Sequence, residues 1–436
     1  MRWFAGAILI LLFSLAFGLG LLAYAMYALV GIMLASRVLS RVWIESLAAQ
    51  RECNRLSASI GDRVAVNINV QNRGVLPIAW LLMEDLLPIA ALIYKPPNLG
   101  VEGRRIQLLM LRSRGKGILL YTLQCNRRGY YQIGPLVMET GDLFGLHRRY
   151  RVATEPHFLL VHPQVIPLSG YDIASRRPIG EIRLQHRLYE DPTRIGGVRR
   201  YEAGDPLNRV HWRATARTGV LHSKVYEAST IAGATLLLDF HQASYAAKDE
   251  PYRSELAITA AASLANAVYE MGQQIGLISN GRDAADRIRQ EGWRSDDYRT
   301  RSAARIAAGM REKSDRLQPL VIPTRRGPEQ LMQILQTLAR AELTDGFDFA
   351  HLVAETISRM PRDATVVAIL PTASEATILA LQMLHKRGYA VTAILNFYDD
   401  YEFGIAAATL TASGISVQHL QNEASVTDVC RQMALR

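Results

Sequence analysis

The stretch TVVAILPTASEATILALQMLHKRGYAVTAIL, Thr365 to Leu395, decides the fold of the C-terminal half. Two short apolar runs, Thr365 to Leu370 and Ala390 to Leu395, bracket a segment with helical spacing from Glu375 to Arg387. Runs this short and this rich in Val, Ile and Leu predict buried strands. The same alternation extends outward. Thr235 to Phe240 and Gln274 to Ser279 read as strands, separated by a helical run from Glu255 to Met271. Helices follow at Pro328 to Ala341 and Phe347 to Arg359, then a helix at Phe403 to Ala412, a strand at Ile415 to His419 and a last helix from Val426. Strands alternating with helices predict an α/β doubly wound, mostly parallel sheet over 234–436, interrupted at 281–317. That interruption holds ten basic and seven acidic residues and reads as a solvated excursion, with a short helix around Arg299 to Met310 as the alternative.

Just before this domain stands VRRYEAGDPLNRVHWRATARTGVLHSKVYEA, Val198 to Ala228. Asp205 is a good N-cap, Pro206 suits a first helical position and Gly219 a stop, so a helix is predicted between them. Leu207, Val210 and Ala214 fall on one side of it. Arg209, Arg213 and Arg217 fall on another as a basic stripe. The stripe is neutralised either within the chain or by an acidic partner surface. His211 and Trp212 are expected to be a packed pair rather than a catalytic base and its neighbour.

The run Tyr201, Gly204, Asp205, Arg209, His211, Trp212, Thr215, Ala216, Arg217 resembles the hallmark of the domain of unknown function 58 family. Other features of that family appear in order: an apolar N-terminal segment, a β-rich region ending in Gly141 to Leu146, and an α/β domain that looks like a von Willebrand factor A-type domain. Such domains bind a metal through Asp-x-Ser-x-Ser, a threonine and a later aspartate. Here Asp239 keeps the first position, His241 and Ala243 replace the serines, Thr344 is the candidate threonine, and Pro371 and Thr372 stand where the later aspartate belongs. Too few hard oxygens remain for a divalent ion, so no metal or other cofactor is expected. Asp239, His241, Ser279, Asn280, Pro371 and Thr372 are expected at the mouth of the domain.

The N-terminal 34 positions between Arg2 and Arg37 carry no charge. One straight helix of that length would extend roughly 50 Å, against a hydrocarbon layer of about 30 Å. Gly18 and Gly20 divide it, which predicts a transmembrane helical hairpin within 1–40, Trp3 to Phe17 and Leu21 to Ser36; a single slanted span is the alternative. Arg2 on one flank and Arg37, Arg41 and Arg51 on the other place both ends at the cytoplasmic side of the inner membrane. Between 52 and 162 the pattern changes to period two. Val64, Val66, Ile68 and Val70 alternate with polar positions, and further strands at Ile78 to Met83, Ile106 to Leu111, Gly117 to Cys125, Gly129 to Val137 and Phe158 to Val161 predict an immunoglobulin-like β-sandwich. Arg127, Arg128, Arg148, Arg149 and Arg151 read as solvated edge charges. A linker with the hallmark motif, 163–233, joins sandwich to α/β domain.

The net charge of +10 is dispersed as arginines, which favours a lipid bilayer or an acidic protein over nucleic acid. Cys53, Cys125 and Cys430 have no metal-ligand spacing. No phosphate loop, dinucleotide fingerprint, zinc-protease motif or nucleophile elbow is present, so no small-molecule substrate is expected. The sequence predicts a membrane-anchored, non-enzymatic adaptor. The family resemblance implies partnership with a MoxR-type AAA+ ATPase in protein assembly or remodelling. The alternative is an enzyme of unrecognised type centred on Asp205 and His211.

Overall fold

The computed structural model describes residues 2–143, 145, 147–167, 190–202, 210–228, 233–291, 318–361 and 364–434. Gly204, Asp205 and Arg209, most of the expected linker (168–189) and the insertion from 292 to 317 lie outside the described residues.

The chain opens with helices α1 (Arg2–Ala16) and α2 (Gly20–Ser46). Gly18 adopts φ +66, and the Leu19 N–H donates to the Ser14 carbonyl at 2.9 Å, a helix stop that a residue with a Cβ disfavours. The two helices contact each other, with Ala7, Ser14 and Ala23 buried and Leu9, Leu12, Leu21 and Tyr24 exposed. Close approach through small side chains is how helices pair where no hydrophobic effect drives them together. α2 is long and apolar enough to cross a membrane. It does not stop at Ser36 as expected: SRVLSRVWIES contains no breaker, so the helix continues to Ser46 and buries Trp43 and Ile44 in the next domain.

That domain begins at Leu47. Its elements are β1 (Leu47–Cys53), β2 (Ser57–Ser59), β3 (Arg63–Asn72), β4 (Ile78–Asp85), the short α3 (Ile89–Ile93), β5 (Leu99–Gly103), β6 (Ile106–Leu111), β7 (Lys116–Cys125), β8 (Gly129–Ile133), β9 (Leu136–Gly141), β10 (Arg148–Thr154) and β11 (His157–His162). Two four-stranded antiparallel sheets, β1-β3-β7-β5 and β10-β9-β4-β6, enclose one core. Val64, Val66, Ile68 and Val70 point into it and Asn67 and Asn69 away, as the pleat requires. The single strand expected from Gly129 to Val137 is two strands in different sheets. Gly134 turns the chain at φ +89 and Pro135 has no N–H to continue a ladder. A Cβ at Gly134 would also strike the Arg51 guanidinium. That guanidinium is fully buried, pairs with Asp85 and donates to the Ile133 and Glu155 carbonyls at 3.2 and 2.8 Å. Tyr121 donates to the second Asp85 oxygen. Burial pushes the Asp85 carboxyl up, and the Arg51 charge opposes it.

Beyond β11 come the ribbon strands β12 (Glu190–Arg200) and β13 (His222–Ala228), with α4 (Trp212–Thr218) between them. The C-terminal domain contains β14 (Gly233–Leu238), α5 (Tyr252–Glu270), β15 (Gln274–Ser279), β16 (Arg282–Asp283), α6 (Ala284–Glu291), β17 (Leu320–Arg325), α7 (Pro328–Arg340), β18 (Ala341–Glu342), α8 (Phe349–Thr356), β19 (Thr365–Leu370), α9 (Glu375–Lys386), β20 (Val391–Leu395), α10 (Asp400–Ala412), β21 (Ser416–His419) and α11 (Glu423–Ala434). Its six-stranded sheet has the order β17-β15-β14-β19-β20-β21. Leu236 and Leu238 join one core with α5, α7 and α11; Leu237 joins the other with α8, α9 and α10. Helices therefore cover both faces.

The sheet is mixed rather than uniformly parallel. β17 runs antiparallel to β15 at the edge, the position that Pro323 allows it. The start of the charged interruption is not a solvated excursion either. Arg282 and Arg287 pair with Glu342 at 3.1 and 2.6 Å, and Arg340 with Asp283 at 3.2 Å.

Of the arginines read as solvated edge charges, Arg128 is buried between domains, and Arg151, though exposed, bonds the end of α2. Arg128, 7% exposed, donates from Nη1 to the Leu338 and Ala341 carbonyls at 2.7 and 2.8 Å, closing the C-terminus of α7. Its Nε lies 3.1 Å from a Glu255 oxygen, and its guanidinium sits 5.7 Å from the centre of the Phe240 ring. Arg151 Nη1 likewise reaches the Ile44 and Leu47 carbonyls, at 3.3 and 3.2 Å, at the end of α2. Both use the orphan carbonyls and negative end of a helix, which a cation satisfies. Removing one partner of a buried ion pair costs about 3 kcal/mol or more. Arg128→Ala is therefore expected to lower the melting temperature and speed amide exchange over residues 338–342, with Arg128→Lys intermediate because one ammonium cannot fork between these acceptors. Hydrogen-exchange mass spectrometry of the three chains checks this.

Candidate functional site

Counted by appearance in the domain, the sheet order is 3-2-1-4-5-6. The direction of winding reverses between β14 and β19, and the carboxyl ends of strands around such a point form a crevice. Asp239 follows β14 directly and is almost fully buried. Its Oδ1 accepts from Asn280 Nδ2 at 2.8 Å and from the His241 N–H at 3.2 Å. Asn280 in turn accepts the Phe240 N–H at 2.6 Å and donates to the Phe347 carbonyl at 2.9 Å. Thr344 closes the arrangement: its N–H donates to the Phe240 carbonyl at 3.2 Å and its carbonyl accepts from Gln242 at 2.7 Å, with an isolated bridge to His241.

The structure thus brings Asp239, His241 and Thr344 together, although Thr344 lies about a hundred positions from the other two. They meet as a hydrogen-bonded scaffold. Asp239 Oδ1 is taken by two protein donors, and His241 Nδ1 accepts from the Ala243 N–H at 3.2 Å. Among the described residues no group of three His, Cys, Asp or Glu could hold a metal ion. Burial pushes the Asp239 carboxyl up, opposed by the Asn280 hydrogen bond.

Beside this scaffold lies a cleft of about 530 Å³ whose wall includes Arg253, Pro371, Thr372, Asn396, Tyr398 and Asp249. Sequence reading placed Pro371 and Thr372 there but missed Arg253, Asn396 and Tyr398. Arg253 is 5% exposed. Its Nη1 donates to Asn396 Oδ1 at 3.1 Å and to the Gln421 carbonyl at 2.9 Å, and Asn396 Nδ2 returns a bond to the Arg253 carbonyl at 2.8 Å. Tyr252 and Tyr398 approach the guanidinium at 5.9 and 5.3 Å. The available signal was an arginine in the first turn of a helix whose following residues are mostly apolar or small.

The hallmark motif forms a separate ribbon. β12 pairs antiparallel with β13, the Tyr201 N–H donates to the Leu221 carbonyl at 2.9 Å, and Val210 bridges Ser223. The helix between them is shorter than expected. It starts at Trp212, where His211 Nδ1 accepts the Ala214 N–H at 3.0 Å, and ends at Gly219 with φ +72. The expected cap, Asp205, and Pro206 precede that start and lie outside the described residues. Thr215 ties the helix to β13 by accepting the His222 N–H at 3.1 Å. His211 and Trp212 are not a buried pair: the ring nitrogen of His211 is committed to the cap, and Trp212 is 68% exposed. Arg213 and Arg217 are exposed beside it and have no acidic partner among the described residues.

Comparison with known proteins points to the same ribbon. A family model described as "Protein of unknown function DUF58" matches residues 197–296. The uncharacterized protein YeaD of Bacillus subtilis (strain 168) is 22% identical over 262 residues, 60% of this chain and 62% of that protein. The chain thus aligns with under two thirds of that relative's length. Among solved structures, the CARDB domain of the PF1109 protein from Pyrococcus furiosus is similar over 26% of this chain and 86% of its own, at 8% identity and TM-score 0.19. A point mutant of the PilB minor pilin from Streptococcus sanguinis is similar over 80% of this chain and 77% of its own, at 8% identity and TM-score 0.30.

The Asp239 scaffold makes a signed prediction. A carboxyl whose folded pKa is raised holds its proton to higher pH in the folded state than in the unfolded chain, so its contribution is intact below the unfolded value, near 3.8, and is lost as pH rises through the folded value. Asp239→Asn keeps an oxygen for both donors and does not titrate. Its stability relative to the parent is therefore expected to improve between about pH 4 and pH 7, whereas Asp239→Ala, which removes the acceptor of one Asn280 N–H and of the His241 N–H, should cost about 1–3 kcal/mol at both. Denaturant melts at the two pH values check the sign.

Proposed function

We propose that the protein is a membrane-tethered recognition module, non-enzymatic, whose α/β domain and hallmark ribbon hold an acidic protein partner at the cytoplasmic face of the inner membrane. The observation that carries this reading is Trp212, exposed beside Arg213 and Arg217 on a ribbon whose described elements pack chiefly on one another. An aromatic anchor beside arginines is the composition of an interface centre, and carboxylates are what two guanidinium groups with no acidic partner among the described residues recognise. Over 190–202 and 210–228 the ribbon has Arg194, Arg199, Arg200, Arg213, Arg217 and Lys224 against Glu190, Asp191, Glu202 and Glu227, and α4 itself holds two arginines and no acid.

The C-terminal domain is read as von Willebrand factor A-like and the first as immunoglobulin-like. The 3-2-1-4-5-6 strand order, with its antiparallel edge strand, supports the first assignment, and the two facing antiparallel sheets support the second. The partner is proposed to be a MoxR-type AAA+ ATPase acting in protein assembly or remodelling, on the strength of the family resemblance. The apolar α2 and the contact between α1 and α2 support a hairpin tether.

Capture from detergent-solubilised membranes tests the docking. Trp212→Ala and the pair Arg213→Glu, Arg217→Glu are expected to cut recovery of the partner at least tenfold while leaving the melting temperature within a few degrees, since all three side chains are solvent-facing. Undiminished capture would overturn the reading. A reporter fused after Arg436 is expected to register the cytoplasm, and a periplasmic signal would remove the hairpin.

A further inference from the structure

The sandwich has one end turned toward α2, and its loops there expose apolar tips among cations. Ser46, the last residue of α2, accepts the Arg73 N–H on its carbonyl at 2.8 Å and shares a hydrogen bond with Asn72 Oδ1 at 3.1 Å. Asn72 Nδ2 then donates to the Leu76 and Arg112 carbonyls at 2.8 and 3.1 Å, and the Arg114 N–H donates to the Gly74 carbonyl at 3.3 Å. The loops at 73–77 and 112–115 are thereby fixed beside the point where α2 enters. The β9–β10 connection reaches the same end, where the Asp142 carbonyl accepts from Trp80 near the start of β4 at 3.3 Å.

These loops expose Val75 at 75% and Leu143 at 69%. Around them Arg73, Arg112, Arg114 and Lys116 are exposed, with no acidic partner among the described residues. Arg114 is held at φ +56, in the left-handed region that residues with a Cβ avoid, and is exposed there at some cost in backbone energy. Apolar tips surrounded by cations suit the boundary between acyl chains and anionic headgroups. From Arg37, where the uncharged stretch ends, to Ser46 the helix rises about 14 Å. The headgroup layer takes up roughly 5–8 Å of that, leaving the loops within a helical turn or two of it.

We propose that this end of the sandwich is a second membrane contact, seated on the anionic phospholipid headgroups of the bilayer that α2 enters. The contact fixes the tilt of the soluble domains, which a helix alone leaves free. The proposal rests on the reading of α1 and α2 as membrane-inserted, and the test separates the two. The full-length chain, with Cys53→Ser and with Cys125 and Cys430 buried, is spin-labelled singly at Val75→Cys, Leu143→Cys, Leu29→Cys on α2 or Leu379→Cys on α9. It is then placed in nanodiscs of phosphatidylcholine with about one third phosphatidylglycerol. Collision with oxygen, which partitions into lipid, is compared with collision with a water-soluble nickel chelate.

The expected result is an oxygen-to-nickel ratio at Val75 and Leu143 several-fold above that at Leu379. Reversal of Arg73, Arg112 and Arg114 to Glu should bring both loop labels down to the Leu379 value while Leu29 stays in lipid. Loop labels matching Leu379 in the parent chain, with Leu29 in lipid, would overturn the proposal and leave the tether standing. Leu29 in water would overturn both.

Discussion

One guanidinium, that of Arg128, is buried where the sandwich meets the C-terminal domain, beside the packing of α7 on β8 and β11. Its position between β7 and β8 belongs to the sandwich, and the groups it meets in the C-terminal domain all favour a cation: the last carbonyls of α7, the carboxylate of Glu255 and the face of Phe240. Phe240 immediately follows Asp239, so the interface also presses on the switch-point scaffold. A displacement of the sandwich would be felt one residue from the crevice.

The same device recurs at the other junction. Arg151 of β10 occupies the carbonyls at the end of α2 as Arg128 does those of α7. Helix C-termini are poor places to end inside a folded protein, because their carbonyls are unpaired and their dipole is negative. At each junction the sandwich supplies an arginine to its neighbour's helix end. Part of the net charge of +10 is therefore internal structure. Among the described residues, exposed cations also gather on α4 and at the α2 end of the sandwich.

The α/β domain was legible where hydrophobic periodicity was strong. Gln274 to Ser279 and Thr365 to Leu370 are strands as read, because a run buried on both faces needs apolar residues at nearly every position. β17 escaped notice since an edge strand interrupted by Pro323 has no such run. The sandwich alternation was legible in β3, while the division at Gly134 and Pro135 depended on which sheet each half would join, a tertiary choice. The site was half legible. A loop after the first strand pointed to Asp239, but Arg253, Arg128 and Arg151 look like any surface arginine in sequence, because their partners are mainly backbone carbonyls with no signature. The exposure of Trp212 could not be read either: an aromatic beside a histidine in a helical pattern is ordinarily core, and here the helix is a single short one on a two-stranded ribbon with no core to offer.

The Arg128 contacts join the sandwich to the α/β domain, and a fixed separation between the two is their direct consequence. Pulsed electron–electron resonance between a label on the sandwich at Leu108 and one on α9 at Leu379, both exposed, tests it in the full-length chain in nanodiscs. A single narrow distance distribution that broadens in Arg128→Ala is the predicted result. A broad distribution in the unmodified chain would contradict the account.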